Sequence, residues 1–213
     1  MVELTSEKAR IFRISHIANV AWILTNGLHC KSSAVQDPDF VQIGNPDLIA
    51  KRAHRPVPGP HGGTLDDYVP FYFTPFSPML LNIKTGWNGI QKRSMQQIVL
   101  ITSTLHALAT NGVPFIFSDR HAYLQLARFS DMLDDLGGWV DWKLLGARDF
   151  ARDPNDPGKF ERYQAEALAY RHVPVAALNG IVCHGPDQEA FLRDVMQNTQ
   201  VQLPVASRPG WFF

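Results

Sequence analysis

The sequence predicts a mixed α/β domain of the α+β type, occupying residues 1–213 as a single unit. Three observations lead there. A chain of 213 residues matches one domain with insertions, at roughly 100–200 residues per domain. Apolar residues make up 45% and aromatic residues 11%, against 19% charged. That fills a core and is far from the composition of disordered, collagenous or coiled-coil chains. Strand-like and helix-like segments also succeed one another without the regular alternation that a doubly wound parallel sheet requires.

Residues 11–14 (IFRI) read as a strand with one buried face. Ser15 is placed to cap a helix carrying Ile17, Val20, Ala21, Leu24 and Leu28 at helical spacing, with Gly27 to end it. Residues 31–64 are rich in proline and glycine and form a long irregular region, interrupted by a short helix at Pro46–Arg52. A loop of that length in a compact domain points to function. Residues 68–73 (YVPFYF) predict an aromatic strand, placed at an edge or at a strand entry because of the prolines near it. Residues 79–83 predict another strand, and 97–102 (QIVLIT) the clearest buried one. A helix at 104–110, closed by Asn111-Gly112, leads to a strand at 114–117. Residues 122–136 predict a helix with Tyr123, Leu126, Phe129 and Leu133 on one stripe. Residues 152–159 (RDPNDPGK) form a turn-rich loop, and 165–170 fit either a strand or a helix. A strand at 180–183, a helix at 187–198 and a strand at 201–205 complete the chain.

Twenty basic and twenty acidic side chains leave no net charge, which excludes a polycation that coats nucleic acid but leaves room for a local basic groove. Cys30 and Cys183 are too few for a disulfide framework. No apolar run approaches the ~20 residues of a membrane span, and the first residues lack a signal-peptide core. The expectation is a cytoplasmic protein with reduced thiols and no membrane partner.

The common phosphate cradles (GxGxxG after a strand, GxxxxGK[ST]), the GxSxG elbow and the HExxH helix are all absent. The pairs His29-Cys30 and Cys183-His184 lack the two-to-four-residue spacing of zinc ligands, so no metal is expected. Glu166 is a lone acid in an apolar-leaning segment. It reads as the solvated end of an element or as a carboxylate placed beneath a sugar, where it would stabilise an oxocarbenium-like transition state. Arg52, in the run Lys51-Arg52-Ala53-His54-Arg55, reads as solvated charge or as a grip on phosphate oxygens. Tyr72 faces away from Phe71 and Phe73, so it packs in the core or stacks a planar ring in a cleft. His121 lies after a strand, where ligands collect and where a capping histidine is equally at home.

Their order along the chain is more informative than any one of them. The segments IFRISHIAN (11–19), GGTLDDYVPFYF (62–73), SPML (77–80), PFIFSDRH (114–121) and QAE (164–166) resemble, in the same order over most of the chain, the DarT family of toxins that ADP-ribosylate DNA bases. The resemblance implies an ADP-ribosyltransferase-like fold with a split, mixed β core and surrounding helices. It implies NAD as co-substrate, single-stranded DNA as acceptor, and a cognate antitoxin that removes ADP-ribose or binds the enzyme. By position, Glu166 and Arg52 match the catalytic pair. Arg13, Ile14, Ser15 and His16 match the first NAD-contacting strand, with Arg52 and Tyr72 also at the cofactor. His121, Phe76, Arg148 and Arg152 match the acceptor side. Phe76 stands where thymine-modifying members tend to carry arginine, so the expectation is a stacking surface there and an acceptor such as guanine or another non-thymine base, with thymine as the main alternative. The same fold acting on RNA 2′-phosphate or protein, and a catalytically dead binding module, are the alternatives.

Overall fold

The computed structural model describes residues 3–213. Its elements in chain order are β1 (Arg10–His16), α1 (Val20–Asn26), β2 (Leu28–His29), α2 (Pro46–Arg52), β3 (Tyr68–Tyr72), α3 (Pro78–Thr85), β4 (Ile98–Thr104), α4 (Leu105–Thr110), β5 (Phe115–Ser118) and β6 (Phe129–Ser130). They continue with α5 (Leu136–Trp139), α6 (Trp142–Ala147), α7 (Lys159–Arg162), β7 (Glu166–Tyr170), β8 (His172–Val173), β9 (Gly180–Cys183), α8 (Pro186–Thr199) and β10 (Val205–Ser207). Among the described residues, eight strands form one sheet in the order β10-β9-β4-β1-β3-β7-β5-β6. All neighbours are antiparallel except β10 and β9.

Both faces of this sheet are covered, and β4 shows how. Val99 and Ile101 pack into a cluster with residues of α1, α4 and α8, whereas Ile98 and Leu100 pack into a second cluster with Leu80 and Ile83 of α3 and with Phe212. That is the two-residue period of a strand buried on both sides. Gly27 ends α1 at φ +81, where a Cβ would stand 2.4 Å from His172 Nε2 and 2.5 Å from the Val173 carbonyl oxygen. Only glycine lets that helix stop against β8.

The sheet is weakest between β1 and β3, which pair only at Phe12 and Tyr72, although β1 pairs with β4 along its whole length. Continuing the register would set Ile14 opposite Pro70, which has no N–H to donate. The strands diverge there instead, and Arg13 Nη1 donates to the Pro70 carbonyl at 3.0 Å. This divergence is the split in the β core.

Five expected elements differ. Ser15 lies inside β1 and does not cap the next helix, a role His16 takes by accepting from Ala18 N, and Leu28 falls in β2. β3 is central rather than an edge, because its proline lies at the split and needs no ladder partner. Residues 79–83 are helical: Ser77 Oγ accepts from Leu80 N at 3.2 Å, Pro78 holds the first helical position and Gly86 closes the helix in the left-handed region. Residues 122–136 are not a continuous helix, since polar groups elsewhere claim their backbone. Asp119 takes the Arg128 N–H and its Nε, and Arg55 takes the Leu124 carbonyl that this N–H would need in a helix. The final strand starts at Val205, just after Pro204. Among the described residues no helix is long and apolar enough to cross a membrane.

Candidate active site

Glu166 is the first residue of β7, directly opposite Tyr72 of β3, and is 3% exposed. Its backbone N–H donates to Ser118 Oγ at 3.2 Å, which ties the strand start to β5. Arg52, at the end of α2, donates from Nη1 to Oε2 at 3.0 Å. The Ala122 N–H donates to Oε1 at 3.0 Å, and His121 Nδ1 lies 3.2 Å from the same oxygen. Burial by itself pushes the Glu166 carboxyl up, but Arg52, His121 and the Ala122 N–H together outweigh it and hold the group below its ordinary value. The carboxylate is therefore buried and ionised at neutral pH.

Arg52 reaches this position because Asn45 caps α2, its Oδ1 accepting from Asp47 N and Leu48 N. Its Nη2 is buried and has no protein partner. Desolvation lowers the His121 pKa, with Arg52 adding to the effect and Glu166 opposing it, so the imidazole is neutral at pH 7. Its Nδ1 also lies 3.2 Å from Tyr123 N. Burial lowers Arg13 to about 10, leaving it charged, and pushes the Tyr72 phenol up.

A cavity of about 530 Å³ opens at the sheet split. Arg13, Ile14, Ser15, Arg52, Tyr72, His121 and Glu166 all line it, so seven residues chosen from sequence meet in one place. His16 does not line it; its Nδ1 accepts from Ala18 N and starts the turn into α1. Nor do the remaining three. Arg148 stands over the Phe76 ring at 3.5 Å, and Arg152 stands 5.3 Å from the Phe160 ring. Phe76 is only 4% exposed, so the open stacking surface expected there is absent: Arg148, in the left-handed region at φ 56, covers it.

Sequence reasoning missed the wall opposite the sheet. Gln36, Phe40, Gln42 and Ile43 line the cavity, and their loop is held by the buried Asn19, whose side chain donates to the Val41 carbonyl at 3.0 Å and accepts from Val41 N at 2.9 Å. Asn19 was inside a recognised motif, but nothing local marks it as pairing with residue 41. Cys30 and Cys183 are buried free thiols. Among the described residues no three His, Cys, Asp or Glu side chains are grouped to hold a metal.

Comparison with known proteins agrees with this geometry. The family model for DarT, ssDNA thymidine ADP-ribosyltransferase, matches residues 12–213. A DNA ADP-ribosyl transferase of Escherichia coli O127:H6 (strain E2348/69 / EPEC) is 50% identical over 210 residues, covering 99% of this chain and 96% of that protein. Thermus sp. 2.9 DarT in complex with ADP-ribosylated ssDNA has the same fold at a TM-score of 0.89 and 30% identity, covering 100% of both chains. The same protein in complex with NAD+ gives 0.83 at 30% identity, covering 97% of this chain and 98% of that one. A split sheet with a buried glutamate and arginine at its opening, under a family match that spans both cleft strands, leaves one conclusion: the chain belongs to the DarT family and has the ADP-ribosyltransferase fold.

Proposed function

We propose that this protein transfers ADP-ribose from NAD to a base of single-stranded DNA and releases nicotinamide. The observation that carries the reading is the Arg52–Glu166 pair, a buried, ionised carboxylate held by an arginine that keeps one terminal nitrogen unpaired inside a ligand-sized cavity. An orphaned buried N–H donor costs stability unless a ligand satisfies it, and NAD offers ribose and pyrophosphate oxygens.

In this reading the nicotinamide ring lies against Tyr72 and the strand Arg13–Ser15. As the bond between nicotinamide and the ribose anomeric carbon breaks, nicotinamide leaves with the electron pair and positive charge develops on the sugar. Glu166 opposes that charge, at a site where low polarisability makes fixed charges effective. A base nitrogen then bonds to the anomeric carbon and its proton departs. His121, neutral and within reach of the carboxylate, is our choice to receive it. The nitrogen must be free of a Watson–Crick partner, which is why the acceptor is single-stranded. The acceptor we propose is thymine, the base in the family's description, since the aromatic surface behind the guanine expectation is covered by Arg148.

An enzyme that modifies the DNA of its own cell is toxic unless checked, so the reading includes a cytoplasmic location and a cognate antitoxin that strips ADP-ribose or binds the enzyme. It also treats residues 1–213 as one domain. The test is acceptor competition. With NAD and a mixture of single-stranded DNA, duplex, RNA and protein, the expected product is ADP-ribosylated single-stranded DNA; label confined to RNA or protein overturns the reading.

A further inference from the structure

Zero net charge conceals a segregation. Between Asp67 and Asp119 the sequence contains no aspartate or glutamate. Part of that stretch is the strands β3, β4 and β5, but the last turn of α3 and the turns after it carry the exposed Lys84, Trp87 and Lys92 and the half-buried Arg93. Trp87 is 71% exposed, an unusual state for the side chain with the most apolar surface to hide. Among the described residues none of the three cations makes an ion pair. Arg93 bonds only neutral acceptors, the Gln42 carbonyl at 3.4 Å and Gln91 Oε1 at 2.9 Å, and its Nε is buried without a partner.

This patch abuts the cleft. Gln42 and Asn45 both line the cavity; the first accepts from Arg93, and the second donates from Nδ2 to the Asn88 carbonyl at 3.4 Å. Met79, in the first turn of α3, lines the cavity too, and α3 runs from it for about 9 Å at 1.5 Å per residue to Thr85, two residues before Trp87; the span to the ring is about 10–12 Å. That distance equals about three or four stacked bases at 3.4 Å each.

Resting on the reading of single-stranded DNA as acceptor, we propose that Trp87, with Lys84, Lys92 and Arg93, is a second binding site for the same strand. It stacks a base about three or four nucleotides from the one in the cleft while the cations meet the intervening phosphates. An exposed ring is sequence-tolerant because every base has a π-face, so the site adds affinity and sets a minimum acceptor length without reading sequence. The absence of acid over this stretch suits a polyanion.

The experiment measures KM for single-acceptor oligonucleotides lengthened stepwise on either side, for wild type, Trp87→Ala, Trp87→Phe and Lys84→Ala/Lys92→Ala. Wild-type KM is expected to fall sharply once about three to four bases are added on one side. Trp87→Ala is expected to erase that gain, about 5- to 150-fold, with KM for NAD and turnover on the shortest acceptor unchanged, and Trp87→Phe to restore much of it. The double lysine variant is expected to flatten the log–log salt dependence by about 0.7 per lost phosphate contact. If wild type modifies DNA and the length dependence survives in Trp87→Ala, this site is overturned and the proposed function stands; a patch that docks a protein gives that result. If wild type modifies no DNA of any length, both fall together.

Discussion

Glu166 and Arg52 form one unit, and substitutions must be read with that in mind. Truncating Glu166 to alanine leaves a buried guanidinium unpaired, a defect of about 3–5 kcal/mol in comparable pairs, so lost activity there mixes chemistry with stability. Glu166→Gln keeps the shape and a hydrogen-bond acceptor and removes only the charge. Arg52→Lys retains charge but not the planar fork that holds a carboxylate with one nitrogen and leaves another for the substrate. We expect it to weaken NAD binding and turnover together by at least tenfold, measured by steady-state kinetics; full activity would reduce Arg52 to a general electrostatic role. Phe76→Arg sets a second guanidinium against Arg148 in a buried position and is expected to lower stability, read as a fall in melting temperature.

His121 gives the pH dependence. Its pKa is lower in the fold than in the unfolded chain, so the unfolded state binds more protons between the lowered value and about 6.5. Stability therefore rises with pH through that window and is complete above it. Glu166, also held low, contributes above about 4.3 and loses its contribution as pH falls through its lowered value. His16 and His29 are shifted the same way by burial. Melting temperature should fall between pH 7 and 5 in wild type, and fall less in His121→Gln. An identical slope in the two proteins would show that His121 is not the titrating group.

At the scale of elements, the sequence was legible wherever a local signal agreed with the packing. α2 was opened by Asn45 and Pro46, α4 was bounded by Thr104 and Asn111-Gly112, and β4 was marked by an apolar run rich in β-branched residues, Ile98, Val99, Ile101 and Thr102. α3 was misread because five consecutive residues from Met79 suited either period, and the decisive signals, Ser77-Pro78 before and Gly86 after, lay outside the apolar run. Residues 122–136 failed for the opposite reason: the helical stripe was real, but Asp119 takes the Arg128 N–H and Arg55 takes the Leu124 carbonyl that this N–H would need in a helix. Neither bond can be foreseen from spacing. The same holds for Asn19, whose amide pairs with Val41 as one residue of a strand would. Asn19→Ala removes three side-chain hydrogen bonds, two with Val41 and one to Ser15 Oγ, of about 0.5–1.5 kcal/mol each, and frees the loop 36–45 over the cavity. The expected result is a roughly tenfold or greater rise in KM for NAD with kcat changed much less. Equal loss in both would mean Asn19 supports the fold rather than the loop.

At the scale of the molecule, the split between β1 and β3 turns a sheet into a cleft. It depends on a proline without a donor, an arginine that bridges to its carbonyl, and a single residue pair holding the strands together below. From that split the chain gains a cleft, with Tyr72 and Glu166 side by side as register partners on β3 and β7 and Arg52 brought in by a capped helix. Family motifs located the residues on the sheet side because they recur in fixed order. The opposing loop wall and the covered Phe76 depend on contacts between distant segments, and no motif records them. The central claim is that the charge on Glu166 acts on the transition state for loss of nicotinamide. Its most direct measurement is single-turnover transfer of ADP-ribose to a thymine oligonucleotide by wild type and Glu166→Gln, with NAD affinity measured alongside. The account expects the rate to fall by about 10²–10³ while NAD affinity changes only a few-fold, and a variant that keeps more than about a tenth of the wild-type rate would contradict it.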